Sequence, residues 1–256
     1  MGRPAVNVLK VGGRQLDEPL FLDGLAQLIA DFPEPPLLVH GGGKGTSALS
    51  QRLGLEARFV DGQRVTDEAT REAAICGLAG LAKLQLLPAL LAQGVKALGL
   101  CGVDAGLVRC RKLPHAQDLG WVGQPSSVRV QELRDLQQAG FVVCLSPLCL
   151  GEDGQIYNVN ADSVAAAVAS ALAAQQLIFL TDVNGVQGRE GRIPRLNKAE
   201  FDKMVAQAEI GAGMLPKLQG CFTALEQGVK EVLITDLAGC RAWLSGHREG
   251  TVIVGG

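Results

Sequence analysis

Two short turns, Lys10-Val11-Gly12-Gly13 and His40-Gly41-Gly42-Gly43, each close an apolar run of β-forming residues. Glycine lets backbone N–H groups approach a phosphate closely, and a nearby cation neutralises its charge. Three further fragments bring the polar groups: Gly62-Gln63-Arg64-Val65-Thr66, Asn158-Val159-Asn160-Ala161-Asp162 and Gly213-Met214-Leu215-Pro216-Lys217. The set suits phosphoryl transfer, which needs little covalent help from protein. It needs two reactants held in line and positive charge where the transferred oxygens gather negative charge.

Two commoner nucleotide motifs are excluded. A phosphate-binding loop of the G-x-x-x-x-G-K-[ST] type fails because Gly43-Lys44 is followed by Gly45. A G-x-G-x-x-G fingerprint is absent after the first apolar run. Lys10 lies in a run that reads as a buried strand, where a lysine calls for a partner or snorkels from the strand end. Asp162 falls in a polar island within an apolar stretch, where a helix N-terminal acid also interacts well with the macrodipole.

Those groups must be positioned by alternating strands and helices. Strands are expected at Ala5–Val11, Leu37–His40, Val95–Cys101, Phe141–Ser146, Leu177–Thr181, Glu231–Thr235 and Thr251–Val254, with Gln155–Tyr157 extended. Helices are expected at Pro19–Asp31, Gly45–Leu53, Asp67–Ala92, Val130–Ala139, Asn160–Ala174, Lys198–Gln207 and Pro216–Gly228. Arg58–Thr66 reads as a hairpin turning at Asp61-Gly62, Gly102–Pro125 as an irregular β insert, and Asp182–Arg195 as a polar loop. Both glycine turns then lie at carboxyl ends of parallel strands, where ligands of open α/β sheets bind. The fold class expected is a three-layer αβα sandwich with a mainly parallel central sheet.

Composition narrows the partners. The 256 residues are 47% apolar with a formal net charge of −2 and no Lys/Arg run, which argues against nucleic acid or an anionic membrane as partner. Seven cysteines form no C-x-x-C pair and only three histidines accompany them, so reduced buried thiols are expected rather than zinc or a disulfide framework. The uncharged stretch Ser163–Leu180 is divided by Gln175-Gln176 and reads as a buried helix and strand rather than a membrane span. No signal peptide is read near the amino end, and a soluble, cytoplasmic protein is expected.

In order and spacing along nearly the whole chain, the five fragments resemble the amino-acid kinase family and, within it, the acetylglutamate kinases. The resemblance implies the carbamate kinase-like fold and ATP-dependent phosphorylation of the side-chain carboxylate of N-acetyl-L-glutamate, with Mg²⁺ carried by the nucleotide and no protein metal site. It implies Lys10 and Lys217 as catalytic cations and Asp162 as the catalytic carboxylate that lies between them and orients both. Gly42, Gly43, Arg64, Asn158 and Asn160 are then substrate-binding, with Arg64 gripping the α-carboxylate through a planar fork that lysine cannot reproduce. Gly12, Gly13, Thr181 and Asp182 are nucleotide-binding.

The carboxylate substrate is already ionised, so His40 is read as holding the glycine turn rather than as a base. Asp118-Leu119-Gly120-Trp121-Val122-Gly123 also resembles a family motif. Ala105, where a glycine commonly follows Asp, and Gly45-Thr46, where bulkier residues stand, depart from the pattern and leave the acyl amino acid open. A kinase for an aminoadipate derivative and a catalytically silent sensor are the alternatives. A single domain is expected, with a lobe of about residues 1–150 for substrate and dimerisation and another of about 151–256 for nucleotide. Ala73, Gly77 and Gly80 suggest a helix-packing surface for a homodimer. Because the first strand begins by about Ala5, the extra N-terminal helix of arginine-sensitive relatives is not expected, nor is arginine inhibition.

Overall fold

The computed structural model describes residues 6–189, 191–211 and 214–255. Ala5, at the expected start of the first strand, and Gly213 of the Gly-Met-x-x-Lys fragment lie outside the described residues. β1 (Asn7–Val11) leads through a 3₁₀ turn, Gly13–Asp17, to α1 (Pro19–Ala30), where Pro19 suits the first helical position. β2 (Leu37–His40), α2 (Gly43–Arg52) and the hairpin β3 (Phe59–Val60) and β4 (Gln63–Arg64) follow. Asp61 and Gly62 turn that hairpin with φ of 47° and 77°, the paired positive values that a two-residue turn of matching twist requires.

The expected long helix is present but not uniform. α3 (Glu68–Ile75), capped by Asp67, whose Oδ1 accepts from Thr70 N at 2.9 Å, passes into a π-helical stretch, Cys76–Ala82, and then α4 (Lys83–Ala92). Glu68–Ala92 is long and apolar enough to cross a bilayer by length and composition, yet Leu86 and Leu90 are fully buried in the protein core. β5 (Ala97–Cys101), β6 (Val108–Lys112), β7 (Val122–Val128), α5 (Val130–Gln138), β8 (Val142–Ser146), β9 (Leu148–Gly151) and β10 (Ile156–Val159) come next. The carboxyl half adds α6 (Ala161–Ala171), β11 (Gln176–Leu180), a small hairpin β12 (Gln187–Gly188) and β13 (Gly191–Arg192), and β14 (Arg195–Leu196). It ends with α7 (Lys198–Ala206), α8 (Leu215–Glu226), β15 (Val232–Thr235), α9 (Leu237–Leu244) and β16 (Thr251–Ile253).

The main sheet has the order β14-β16-β15-β11-β1-β2-β8-β5. The six strands from β15 to β5 are parallel, and β16 runs antiparallel to β15. Strand alternation divides the core. Val8, Val39, Leu145 and Phe179 pack with α5, α6 and α8 on one face, while Leu9, Leu38, Ile178 and Leu233 pack with α1, α4 and α9 on the other. That is the three-layer sandwich. The chain leaves β1 toward β2 and later returns to β11 on β1's other side, so a switch point opens at the carboxyl end of β1, beside Gly12.

Three expectations change. The "irregular insert" is half of a closed four-stranded barrel, β10-β7-β6-β9, whose strand Leu148–Gly151 the sequence reading omitted. α9 was also unanticipated; Asp236 caps it by accepting from Gly239 N at 2.7 Å. Ala105 has φ 50°, so the position where the family pattern has glycine is one whose backbone favours it. Of the small residues offered as a dimer surface, Ala73 is buried, and a Cβ on Gly77 would lie 2.4 Å from Thr46 Oγ1. They pack inward.

Candidate active site

Alternation along β1 turns Lys10 toward the α6 side of the sheet, where a buried ammonium needs an acid. Asp162, in the first turn of α6, supplies it at 2.7 Å, Nζ to Oδ1. Asn160 caps that helix: its Oδ1 accepts from Asp162 N at 2.8 Å and from Ser163 N at 3.4 Å. The cap fixes the first turn, and the positive end of the helix favours the carboxylate. Lys217 lies in the first turn of α8, which packs closely on α6; a Cβ on Gly220 would stand 4.0 Å from Asp162 Cβ. Burial pushes the Lys217 ammonium below its ordinary range, the charge of Lys10 adds to that, and Asp162 opposes both. Two cations share one acid, which leaves positive charge for an anionic group.

The two glycine turns meet. A Cβ on Gly41 would come within 3.3 Å of Gly13 N, and Gly41 N donates to Val11 O at 3.3 Å. Gly42 is the N-cap of α2, and a Cβ there would stand 2.3 Å from Thr46 Oγ1, so no larger residue fits. Gly43 opens α2, where N–H groups lack helical partners. Gly12 N donates to Gln15 Oε1 at 3.1 Å, so this amide is internally satisfied in the structure.

Beside the Gly42 turn an open pocket of about 160 Å³ is lined by Gly42, Arg64, Asn158 and Asn160, with Ala74 and Leu78 among its apolar residues. Arg64 donates through Nη2 to Ser47 Oγ at 2.9 Å and lies over the Phe59 ring, 4.8 Å from its centroid. Its Nη1 is buried without a partner, an unspent donor on a residue that lines the pocket, and a guanidinium can take a carboxylate. Asn158 Nδ2 donates to Thr66 Oγ1 at 3.2 Å, so its carbonyl is the group it offers. Asn160 has committed its oxygen to the cap, so it can donate to a ligand through its NH2.

The structure therefore brings Lys10, Asp162 and Lys217 into one charge cluster, and Gly42, Arg64, Asn158 and Asn160 into one pocket. Thr181 and Asp182 lie apart from that pocket at the end of β11. Thr181 Oγ1 is engaged with Val183 O at 2.7 Å, while Asp182 is exposed and acts on Lys217 electrostatically. Thr46, Ser47, Ala74 and Leu78 were missed. Ala74 and Leu78 have helical spacing but no polar atom to announce a site. His40 is fully buried, its pKa pushed down to about 4, chiefly by burial, and its Nδ1 is 3.2 Å from Gly41 O. A neutral ring that donates to the glycine turn fits the structural role. All seven cysteines are free thiols, and all but Cys76 are buried; burial raises Cys144 to about 12 and Cys149 well above its usual value, which makes them inert.

A cluster of this kind in a parallel α/β sandwich defines a phosphoryl-handling protein, and comparison with known proteins supplies the class. Residues 5–236 match the model of the amino acid kinase family. The chain belongs to that family. It is 44% identical over 238 residues to an acetylglutamate kinase from Roseiflexus sp. strain RS-1, covering 93% of this chain and 90% of that protein. Among solved structures, the smu.665 protein from Streptococcus mutans UA159 superposes with a TM-score of 0.83 at 26% identity, covering 97% of this chain and 98% of that one. Carbamate kinase from Giardia lamblia bound to citric acid superposes with a TM-score of 0.72 over the whole of both chains; at 15% identity this likeness speaks for the fold.

Proposed function

We propose that this chain is an ATP-dependent acetylglutamate kinase, phosphorylating the side-chain carboxylate of N-acetyl-L-glutamate to an acyl phosphate in arginine biosynthesis. One observation carries the reading: Arg64 lines a pocket with an apolar wall, next to the glycine turns, and keeps one guanidinium nitrogen without a partner. Arg64 takes the α-carboxylate, Asn158 and Asn160 serve the amide, and the acetyl group meets Ala74 and Leu78. The side-chain carboxylate then reaches the glycine turns. Its oxygen forms the new bond to the γ-phosphorus as the bond to the bridging oxygen of ADP breaks. Gly42 and Gly43 face the transferred group from one side and Gly12 and Gly13 from the other, while Lys10 and Lys217 balance its growing charge.

ATP is the phosphoryl donor, with Thr181 and Asp182 on its side of the site. Mg²⁺ supplies charge neutralisation at the nucleotide phosphates; the Asp162 carboxylate is already engaged by Lys10, so the donor set suits a metal arriving on the nucleotide. A division into two lobes at about residue 150 is part of this proposal, with Asn158 and Asn160 contributed across it. The enzyme is proposed to be cytoplasmic and homodimeric. Leu81, Leu84 and Leu91 are exposed on the helix beside β5, the edge strand of the sheet, an arrangement a second copy can cover. Trapping the acyl phosphate as hydroxamate tests the activity. Acetylglutamate should be preferred over acetylaminoadipate and free glutamate; no ATP-dependent product from acetylglutamate would overturn the reading.

A further inference from the structure

Gly42 and Arg64 both line the pocket, and adjacent residues early in α2 reach them. Thr46 Oγ1 donates to Gly42 O at 2.8 Å, and Thr46 N donates to the same carbonyl at 3.2 Å. This carbonyl shares a planar peptide unit with the N–H of Gly43, so fixing one end of the plane aims the other. Thr46 is held in turn. It is 4% exposed, in a slot where a Cβ on Gly42 would stand 2.3 Å from its hydroxyl oxygen. On the far side, a Cβ on Gly77 would be 2.4 Å from that oxygen and 2.6 Å from the Thr46 methyl. Gly77 belongs to the π-helical stretch, and such stretches often mark functional sites.

The next residue does the same for the arginine. Ser47 Oγ accepts from Arg64 Nη2 at 2.9 Å, and the Phe59 ring supports the guanidinium plane. With one nitrogen tied and one face supported, the unpartnered Nη1 has a set direction. We infer that Thr46 and Ser47 are positioning residues that act as a two-hydroxyl brace, setting the register between the phosphoryl-holding glycine turn and the carboxylate-holding arginine. The inference rests on the acetylglutamate reading.

The two halves have different kinetic signatures, which a purely packing role would not produce. Thr46→Val replaces the hydroxyl with a methyl that cannot bond Gly42 and has no room against it. It should lower kcat about ten-fold while leaving the KM for ATP within about two-fold. Ser47→Ala should raise the KM for acetylglutamate about ten-fold, with kcat and the KM for ATP little changed. Thr46→Ser and Ser47→Thr, which keep the hydroxyls, should restore most of the loss. The wild-type enzyme is assayed first by hydroxamate trapping and ADP release. A wild type inactive on acetylglutamate overturns the functional reading, and the brace as stated falls with it. An active wild type with unaltered kcat in Thr46→Val, or an unaltered acetylglutamate KM in Ser47→Ala, overturns the brace alone. Should Thr46→Val fail to fold, Ser47→Ala, at a half-buried side chain, decides the matter.

Discussion

Replacing Arg64 by lysine keeps the charge and removes the geometry. In the structure one guanidinium nitrogen is spent on Ser47 at 2.9 Å, and the other is buried without a partner. A lysine offers a single ammonium, which cannot hold Ser47 and a carboxylate in the same plane. A hydrogen bond to a charged group contributes roughly 1.5–3 kcal/mol. The pocket is open to water, so the lower half of that range applies, and a loss of about 2 kcal/mol corresponds to roughly a 30-fold rise in the KM for acetylglutamate. In the proposed site ATP meets the cluster of Lys10, Asp162 and Lys217, which Arg64 does not enter, and its KM should stay within about two-fold. Initial rates of ADP release, with each substrate varied at saturating concentrations of the other, separate the two. An equal rise in both KM values would place Arg64 at the nucleotide, and a rise below about three-fold in the acetylglutamate KM would remove it from the carboxylate.

Lys10→Ala and Lys217→Ala should each lower kcat about 10²–10³-fold while denaturant midpoints move little, and Asp162→Asn should lower kcat comparably; near-normal turnover in either lysine variant removes that lysine from the mechanism. His40, held near 4 against 6.5, binds a proton more readily when unfolded. Its contribution is therefore intact above pH 6.5 and falls as pH drops toward 4, by about 3 kcal/mol in all. Denaturant titrations should show His40→Asn, whose side-chain NH2 can still donate to Gly41 O, losing less stability than wild type over that interval; equal slopes would refute the assignment. Sedimentation should give a dimer, and Leu84→Glu, placing charge on an exposed apolar helix face, should shift it toward monomer.

Much of the fold was legible because parallel strands are buried on both faces and read as continuous apolar runs, as at Leu37–His40 and Leu177–Leu180. The omissions have physical reasons. Leu148–Gly151 follows β8 almost at once, with Pro147 between, and a short strand there resembles a continuation rather than a new element. α9 carries Gly239 in its first half, a residue that argues against helix; a Cβ at that position would lie 2.2 Å from Thr235 Oγ1. Packing overrides propensity at this point. The π-helical stretch has no sequence period distinct from the helices on either side.

The candidate site was legible where its chemistry is charged. Lys10 announced a buried cation that calls for a partner, and the family resemblance pointed to Asp162, in a polar island after Tyr157, as that partner; the two stand 2.7 Å apart. Its uncharged support was hidden. Thr46 and Ser47 are among the least informative residue types in a helix, since each has a bland reading as a solvated side chain. What separates them from that reading is absence on the opposite side. Gly42 and Gly77 both lack the Cβ that would fill the slot, and only the folded chain shows that these two absences face the same hydroxyl. A sequence records each glycine separately, one as a turn residue and the other as a weak helix former. Their common cause, a threonine wedged between a glycine turn and a widened helix, joins Gly42 and Thr46 to Gly77, which is distant in the chain and adjacent in space. The departure at Thr46 therefore reads differently once folded: a smaller residue than the family pattern has at that position supplies a hydroxyl where the turn needs aiming.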